Sequence, residues 1–203
     1  MTKGNKLLSI SLILLVLFSF VGCKRQSYIA DFETFYSMNS VVESATLIIQ
    51  GKVKDVKTNQ AIVVGKSTGA SHKYTVSDVE ILEVIYGDAK VGDIVQVKQL
   101  ENEQTTEAAG YLENGQNTVL FLVTYQSTPA SLINPTQGKM IFDENQNLII
   151  DDNLLTILVD NTENSKQLSA KDNSIEEENY DYESVVGIIK KSLNDVKQEK
   201  EMD

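Results

Sequence analysis

The feature that most constrains the fold is a series of short apolar runs, rich in valine, isoleucine and tyrosine, that begins at residue 46. Turn-forming pairs such as Gly92-Asp93 and Asn114-Gly115 separate several of these runs. Short strands at such regular spacing are typical of an all-β sandwich or barrel. The predicted strands are residues 46–57, 61–64, 74–86, 94–100, 119–123, 140–142 and 148–150, with 154–159 as a last one.

Two of these strands show signs of bending, and a third lacks the alternation of a half-buried strand. Gly51 predicts a bulge in the first strand. The apolar phase shifts between Val76 and Val79, which predicts a bulge or bend near Asp78. A long bent strand can form part of two faces of a closed sheet. The pattern therefore favours a closed barrel of about five strands. Residues 119–123 are apolar on both faces and should form the most buried strand.

A helix is predicted on each side of the strands. Four apolar residues at helical spacing predict a helix over residues 32–45, with Asp31 as its N-cap. Six more near the C-terminus predict an amphipathic helix that is capped by Asp181 and frays over 198–203. The apolar residues of each predicted helix are interpreted as a face that packs against the core. They consist of Phe35, Met38, Val42 and Ala45, and of Tyr182, Val185, Val186, Ile189, Leu193 and Val196.

Three blocks of sequence resemble the strands of small OB-like barrels of the netrin and metalloprotease-inhibitor type. They are SATLIIQGKV at residues 44–53, the segment 79–97 with its two Gly-Asp turns, and NGQNTVLFL at 114–122. The same blocks are similar to uncharacterised surface lipoproteins of Gram-positive bacteria, and the resemblance covers residues 41–150. The predicted fold is therefore mainly β: a small OB-like/netrin-like β-barrel with an N-terminal helix and a C-terminal amphipathic helix.

The N-terminus has the pattern of a secretory signal. Two lysines precede a nearly unbroken apolar run over residues 7–21, which is short for a permanent membrane span. The sequence Phe-Val-Gly-Cys at residues 20–23 resembles the lipobox of bacterial lipoproteins, although leucine is usual at residue 20. The resemblance implies cleavage between Gly22 and Cys23 and a diacylglyceryl group on the Cys23 thiol. The alternative is an uncleaved signal anchor with an incidental buried cysteine.

These observations predict five segments along the chain. Residues 1–22 are the signal peptide, 23–30 the lipidated tether, 31–160 the β-barrel domain with its leading helix, 161–179 a mobile acidic loop, and 180–203 the C-terminal helix. The formal net charge is −11, and loss of the two lysines of the signal leaves −13. Such a charge repels phosphate backbones, so nucleic acid is not an expected partner.

The sequence contains no recognisable catalytic constellation. His72 is the only histidine, and it is interpreted as a solvated side chain at a strand entry. Cys23, the only cysteine, is assigned to the anchor, so a zinc site with three or four nitrogen or sulfur ligands is not expected. No Gly-x-Ser-x-Gly elbow and no phosphate-binding glycine loop occurs. The sequence therefore predicts no metal and no cofactor.

One acidic segment begins like a calcium loop. Asp143, Asn145 and Asn147 supply oxygen atoms at the first, third and fifth positions. The sixth position should be glycine and is Leu148, and the twelfth should be glutamate and is Leu154. A hairpin turn between two strands therefore explains the segment better than a calcium site.

Together these patterns predict a membrane-anchored lipoprotein on the extracytoplasmic face of the cell membrane, carrying a non-catalytic binding or interaction module. Its partners would be the membrane, through Cys23, and an unidentified cell-surface protein. One alternative is a carboxylate-dependent enzyme whose acidic residues meet only in the fold. Another is a protease-inhibitor-like module or an accessory subunit. Netrin-type inhibitors use a free N-terminal cysteine and carry disulfides, and a lipidated Cys23 argues against that mechanism.

Overall fold

The fold comes from a computed structural model that describes residues 32–63, 71–101, 110–150, 152–159 and 180–202. The predicted signal peptide, Cys23, the predicted tether, Asp31 and residues 161–179, for which an acidic loop is predicted, lie outside the described residues. In chain order the elements are α1 (Met38–Ser44), β1 (Leu47–Val63), β2 (Ser71–Tyr86), β3 (Ile94–Leu100), β4 (Asn117–Val123), β5 (Ala130–Leu132), β6 (Lys139–Phe142), β7 (Leu148–Ile149), α2 (Asp152–Val159) and α3 (Tyr182–Met202).

The seven strands form one sheet, and five of them close into a ring. The sheet order is β1-β2-β3-β5-β4-β6-β7, and β1 pairs a second time with β4. Strands β3 and β5 run parallel, whereas the other paired strands are antiparallel. Strands β6 and β7 continue the sheet beyond the ring. The prediction of a mainly β fold with a C-terminal helix is confirmed.

Strand β1 is longer than the sequence predicts. The two predicted strands at 46–57 and 61–64 are a single strand, Leu47–Val63, which pairs with β2 along its length. The irregular residue between them is Asn59, whose φ of 57° lies in the left-handed region. An asparagine tolerates that conformation better than most residues, so the strand bulges there without ending.

The bulge predicted near Asp78 is present, but the extra residue belongs to the opposite strand. Val53 pairs with Val79, and Asp55 pairs with Asp78, so Lys54 is the extra residue. A further register shift occurs between Gln50 and Gly51, where the glycine predicts one, but here the extra residue is Leu82 of β2 and not a residue of β1. These bends allow β1 to pair with β2 and also with β4.

Two hydrophobic cores lie on opposite faces of β4. The first, which we call the ring core, draws residues from all five ring strands, and the second, the helix-side core, includes residues of α1, α2 and α3. Leu120 and Leu122 belong to the ring core, whereas Val119 and Phe121 belong to the helix-side core, and all four are 0% exposed. The prediction that this strand is the most buried is thus supported, because both of its faces are covered.

Helix α1 is shorter than predicted. It begins at Met38, and the Ser37 hydroxyl accepts a hydrogen bond from the backbone N–H of Ser40 as its N-cap. The segment before it is not helical, because the Gln137 side chain binds both backbone groups of Phe35. Gln137 accepts from the Phe35 N–H at 2.8 Å and donates to the Phe35 carbonyl oxygen at 2.7 Å. The predicted range 32–45 was therefore wrong at its N-terminal end.

The predicted strand at 154–159 is wrong, since Asp152–Val159 forms helix α2. Leu154, Ile157 and Leu158 are spaced as on one face of a helix, and all three are buried in the helix-side core. A short apolar run does not distinguish a strand from a buried helix by periodicity alone. Here the run packs as a helix, with its apolar face in the helix-side core.

Helix α3 keeps its predicted face and cap but not its predicted end. The Asp181 carboxylate accepts from the Ser184 N–H at 2.8 Å, and Val185, Val186 and Ile189 are buried. The helix continues to Met202 instead of fraying from residue 198, and Lys200 forms an ion pair with Glu43 of α1 at 3.0 Å. Among the described residues, no helix is long and apolar enough to cross a membrane.

Candidate functional site

An open cleft lies at the end of the ring where β2 leads into β3. Its walls are the β2–β3 turn, the start of β3 and the loop from β4 to β5, and its volume is about 550 Å³. Clefts of about 300–1,000 Å³ with a few convergent polar groups are the usual size of ligand sites, and the mouth of a ring of strands is a common place for them. This cleft is therefore the candidate site.

The floor of the cleft is apolar. Leu47 and Ile81 come from β1 and β2, and Val95 and Ala130 come from β3 and β5. Leu47, Ile81 and Ala130 belong to the ring core, and Val95 packs against it. Four strands of the ring thus contribute apolar side chains, so the floor is held by the same packing that holds the ring together.

The β2–β3 turn places two carboxylates at the rim. Gly87 and Gly92 take φ values of 95° and 90°, which favour glycine. The turn is tied to β2 because Ile81 donates its N–H to the Asp93 carbonyl oxygen at 2.9 Å and accepts from the Gly92 N–H at 2.8 Å. Asp88 and Asp93 both line the cleft and both are exposed. The Gly-Asp pairs were predicted to be turns, which is confirmed.

The opposite wall is the β4–β5 loop, which Lys98 supports from β3. The Lys98 ammonium donates to the Thr128 hydroxyl at 3.0 Å and lies 4.2 Å from the centroid of the Tyr125 ring. Lys98 is 8% exposed, and burial lowers its pKa. At the start of the loop, the Thr124 N–H donates to the Thr46 hydroxyl at 2.9 Å. The loop is thus fixed at three points, and Tyr125, which is 50% exposed, is held at the cleft.

Lys98 and Tyr125 were not predicted as site residues. In the strand pattern of β3, Val95 and Val97 face the ring core, so the sequence places Lys98 on the outer face, where a lysine normally points into water. Nothing in the sequence shows that a loop beginning after β4 folds over that lysine. A signal for the site was present only in the two Gly-Asp turns, which mark where the carboxylates stand.

Carboxylates elsewhere act as hydrogen-bond acceptors within the fold. Hydrogen bonds from Lys57 and then from Gln96 lower the pKa of Asp78. Hydrogen bonds from Asn147 and Asn145 lower the pKa of Asp143, whose carboxylate accepts both backbone N–H groups at 2.8 Å. The predicted hairpin turn at 143–147 is thereby confirmed. Within the described ranges, no group of three or more histidine, cysteine or acidic residues is placed to hold a metal ion.

A tyrosine–carboxylate–lysine contact joins α3 to β2 away from the cleft. The Tyr182 hydroxyl donates to Glu83 at 2.7 Å, and Lys190 donates to the other oxygen of Glu83 at 3.3 Å. Burial, followed by the hydrogen bond to Glu83, raises the pKa of Tyr182. A phenol with a raised pKa is a weaker acid and stays protonated at neutral pH, so this contact is interpreted as a link between helix and sheet.

The residues singled out in the sequence do not meet at the cleft. His72 lies on β2 opposite Ile62, and it does not line the cleft. Gly22 and Cys23 lie outside the described residues. No protein-family model matches the chain, and a comparison with curated proteins found no match.

Proposed function

We propose that this protein is an extracytoplasmic lipoprotein, anchored to the cell membrane through Cys23, whose folded domain is a non-catalytic binding module. The observation that carries the binding function is the cleft, which joins an apolar floor to a polar rim. Leu47, Ile81 and Val95 offer apolar contact area, and Asp88 and Asp93 offer charge and hydrogen-bond acceptors above it. Such a combination is typical of sites that hold a ligand in one orientation.

We also propose that the ring is a small OB-like/netrin-like β-barrel. Five strands close through the second pairing of β1, and the remaining two strands and the helices lie outside the ring. A five-stranded, largely antiparallel barrel is the OB-like arrangement, and in OB-folds the loop between the fourth and fifth strands contributes to ligand binding. The loop with Tyr125 occupies that position here.

The anchor proposal is supported by the lipobox-like residues 20–23 and by the single cysteine. The folded domain begins close after them, because Asn134 donates to the carbonyl oxygen of Glu33 at 2.8 Å and Gln137 holds Phe35. A tether over residues 24–30 reaches at most about 25 Å when fully extended. The proposal therefore places the domain near the membrane surface.

Replacing Cys23 with alanine tests the anchor. We expect Cys23→Ala to abolish incorporation of labelled fatty acid, because no other thiol is present to accept the diacylglyceryl group. The protein should then move from the membrane fraction to the medium or stay uncleaved. The measurement is label per protein after growth with the fatty acid, with Ser27→Ala as a control in the same segment. Persistent label on Cys23→Ala would refute the lipoprotein proposal.

A photo-crosslinker in the cleft tests the binding function. We replace Tyr125 with p-benzoylphenylalanine in the full chain, irradiate intact cells and measure the mass of the purified protein. The control carries the same group at Tyr36, which is 74% exposed and does not line the cleft. We expect an adduct from position 125 that is absent from position 36. Equal adducts at both positions, or no adduct at position 125, would refute the proposal that the cleft is the binding site.

An enzyme is the second candidate, because Asp88 and Asp93 line one cleft and paired carboxylates can act as acid and base. A screen of glycoside, ester, peptide and phosphoester substrates separates the two functions. Turnover that disappears in Asp88→Asn or Asp93→Asn, and persists in Glu144→Gln, would identify an enzyme. His72→Ala serves as a further control, since His72 lies outside the cleft.

A further inference from the structure

We propose that the ligand of the cleft is a cationic peptide segment of a partner protein, in which lysine or arginine side chains alternate with apolar ones. The inference rests on the proposed binding function and specifies its ligand. It is carried by three features that coincide at one place: an apolar floor, two carboxylates at the rim, and no lysine or arginine among the described residues that line the cleft.

The floor defines the apolar half of the ligand. Leu47 and Ile81 are buried members of the ring core, and Val95 and Ala130 extend the same surface. An aliphatic floor suits an aliphatic side chain, whereas sugars and nucleobases are usually held on aromatic faces. Tyr125 is the aromatic residue among those that line the cleft, and its ring is already in contact with the Lys98 ammonium.

The rim defines the charge of the ligand. Asp88 and Asp93 are exposed, stand on the same turn and both line the cleft, so a cation at the rim meets carboxylates without having to break an ion pair. The ion pairs of the described residues involve other carboxylates: Asp55, Asp78, Glu80, Glu83, Glu43 and Glu201. The whole chain carries a net charge of −11, which attracts cations over a longer range and accelerates their association.

The wall keeps the nearest buried cation away from the ligand. The Lys98 ammonium is directed to Thr128 and to the Tyr125 ring, and Lys98 is 8% exposed. Its charge therefore fixes the loop, and the lining surface remains acidic. A lysine or arginine of the partner can lay its aliphatic stem along the floor and keep its charged end at the rim, which is the usual behaviour of these amphipathic side chains.

The test uses the full-length lipoprotein in nanodiscs of phosphatidylcholine, a lipid without net charge, with empty nanodiscs as the blank. The probes are three fluorescein-labelled peptides of nine residues, in which lysine alternates with leucine, lysine with serine, or glutamate with leucine. We expect the lysine–leucine peptide to bind at least about tenfold more tightly than either of the others, and to weaken as salt is raised. Equal binding of the lysine–serine peptide would show that binding depends on charge alone, and it would refute the proposed contact with the apolar floor.

A matched pair of double variants locates the binding. Asp88→Asn with Asp93→Asn should weaken binding of the lysine–leucine peptide about tenfold. Glu113→Gln with Glu144→Gln removes the same charge from exposed positions outside the cleft and should change binding less than about twofold. Equal losses in the two double variants would overturn the assignment of the site.

The outcomes also separate this inference from the function on which it rests. If a cleft-specific adduct forms at position 125 in cells but no peptide binds, the binding function stands and the cationic peptide is refuted. If a mixture of oligosaccharides is bound instead, with loss in the Asp88→Asn, Asp93→Asn double variant, the ligand is a carbohydrate. If neither adduct nor peptide binding is found, both proposals fall.

Discussion

Phe121→Ala is expected to destabilise the folded domain by about 3–5 kcal/mol, the usual range for truncation of a buried aromatic side chain. Phe121 is 0% exposed and lies in the helix-side core, where residues of α1, α2 and α3 surround the face of β4. Because three helices and the sheet converge there, the cavity cannot be filled by the movement of one side chain. Urea unfolding of a variant that begins at Lys24 measures the loss.

The control for this prediction is Tyr36→Ala, which also removes an aromatic ring. Tyr36 is 74% exposed, so its truncation should change the free energy of unfolding by less than about 0.5 kcal/mol. A loss below about 1 kcal/mol for Phe121→Ala would mean that the helices are not packed on this face of β4. The backbone of Phe121 bonds to Gly138 and Ile133 and is unaffected by the change.

Gly87→Ala should lower the free energy of unfolding by about 2–5 kcal/mol, because strain and a steric clash act together. The φ of Gly87 is 95°, where an L residue loses about 1–2 kcal/mol. A Cβ atom there would lie 2.5 Å from the carbonyl oxygen of Thr46 and 3.0 Å from the Cα of Leu47. Both are backbone atoms, so β1 itself would have to move, and overpacking of this kind typically costs about 1–3 kcal/mol.

Gly92→Ala separates the clash from the strain. Gly92 has a φ of 90°, and a Cβ atom there meets nothing within 4 Å. Its free energy of unfolding should therefore fall only by the cost of the strain, about 1–2 kcal/mol. Equal losses of the free energy of unfolding in the two variants, compared by urea titration, would contradict the close approach of the turn to β1. Since Leu47 is part of the cleft floor, Gly87→Ala should also weaken ligand binding more than Gly92→Ala does.

The elements that were predicted well are those whose pattern is complete within one segment. Strand β3 occupies residues 94–100 as predicted. The turn at Asn114-Gly115 is present, with Gly115 at a φ of 88°. The apolar stripe of α3 and its Asp181 cap are also present. In each case the signal is local, because periodicity, a turn pair or a cap depends on residues that are near one another in the chain.

The errors arose where distant residues decide the local structure. Phe35 would extend α1, but it is held by Gln137, which is 102 residues away in the chain. Residues 154–159 form a helix because their apolar face meets the helix-side core. The end of α3 stays helical where Lys200 reaches Glu43 on α1. None of these partners can be identified from the segment itself.

The sequence by itself determined the mainly β class, the positions of most strands, the capped C-terminal helix and, through residues 20–23, the expectation of a lipid anchor. These are set by side-chain period, by turn-forming residues and by one short motif, all of which are read along the chain. Only the tertiary structure decided that β1 pairs on both sides and closes the ring, and that its open end is a cleft. Leu47, Ile81, Val95 and Ala130 are far apart in sequence, and they share a floor because strand pairing and burial bring them together.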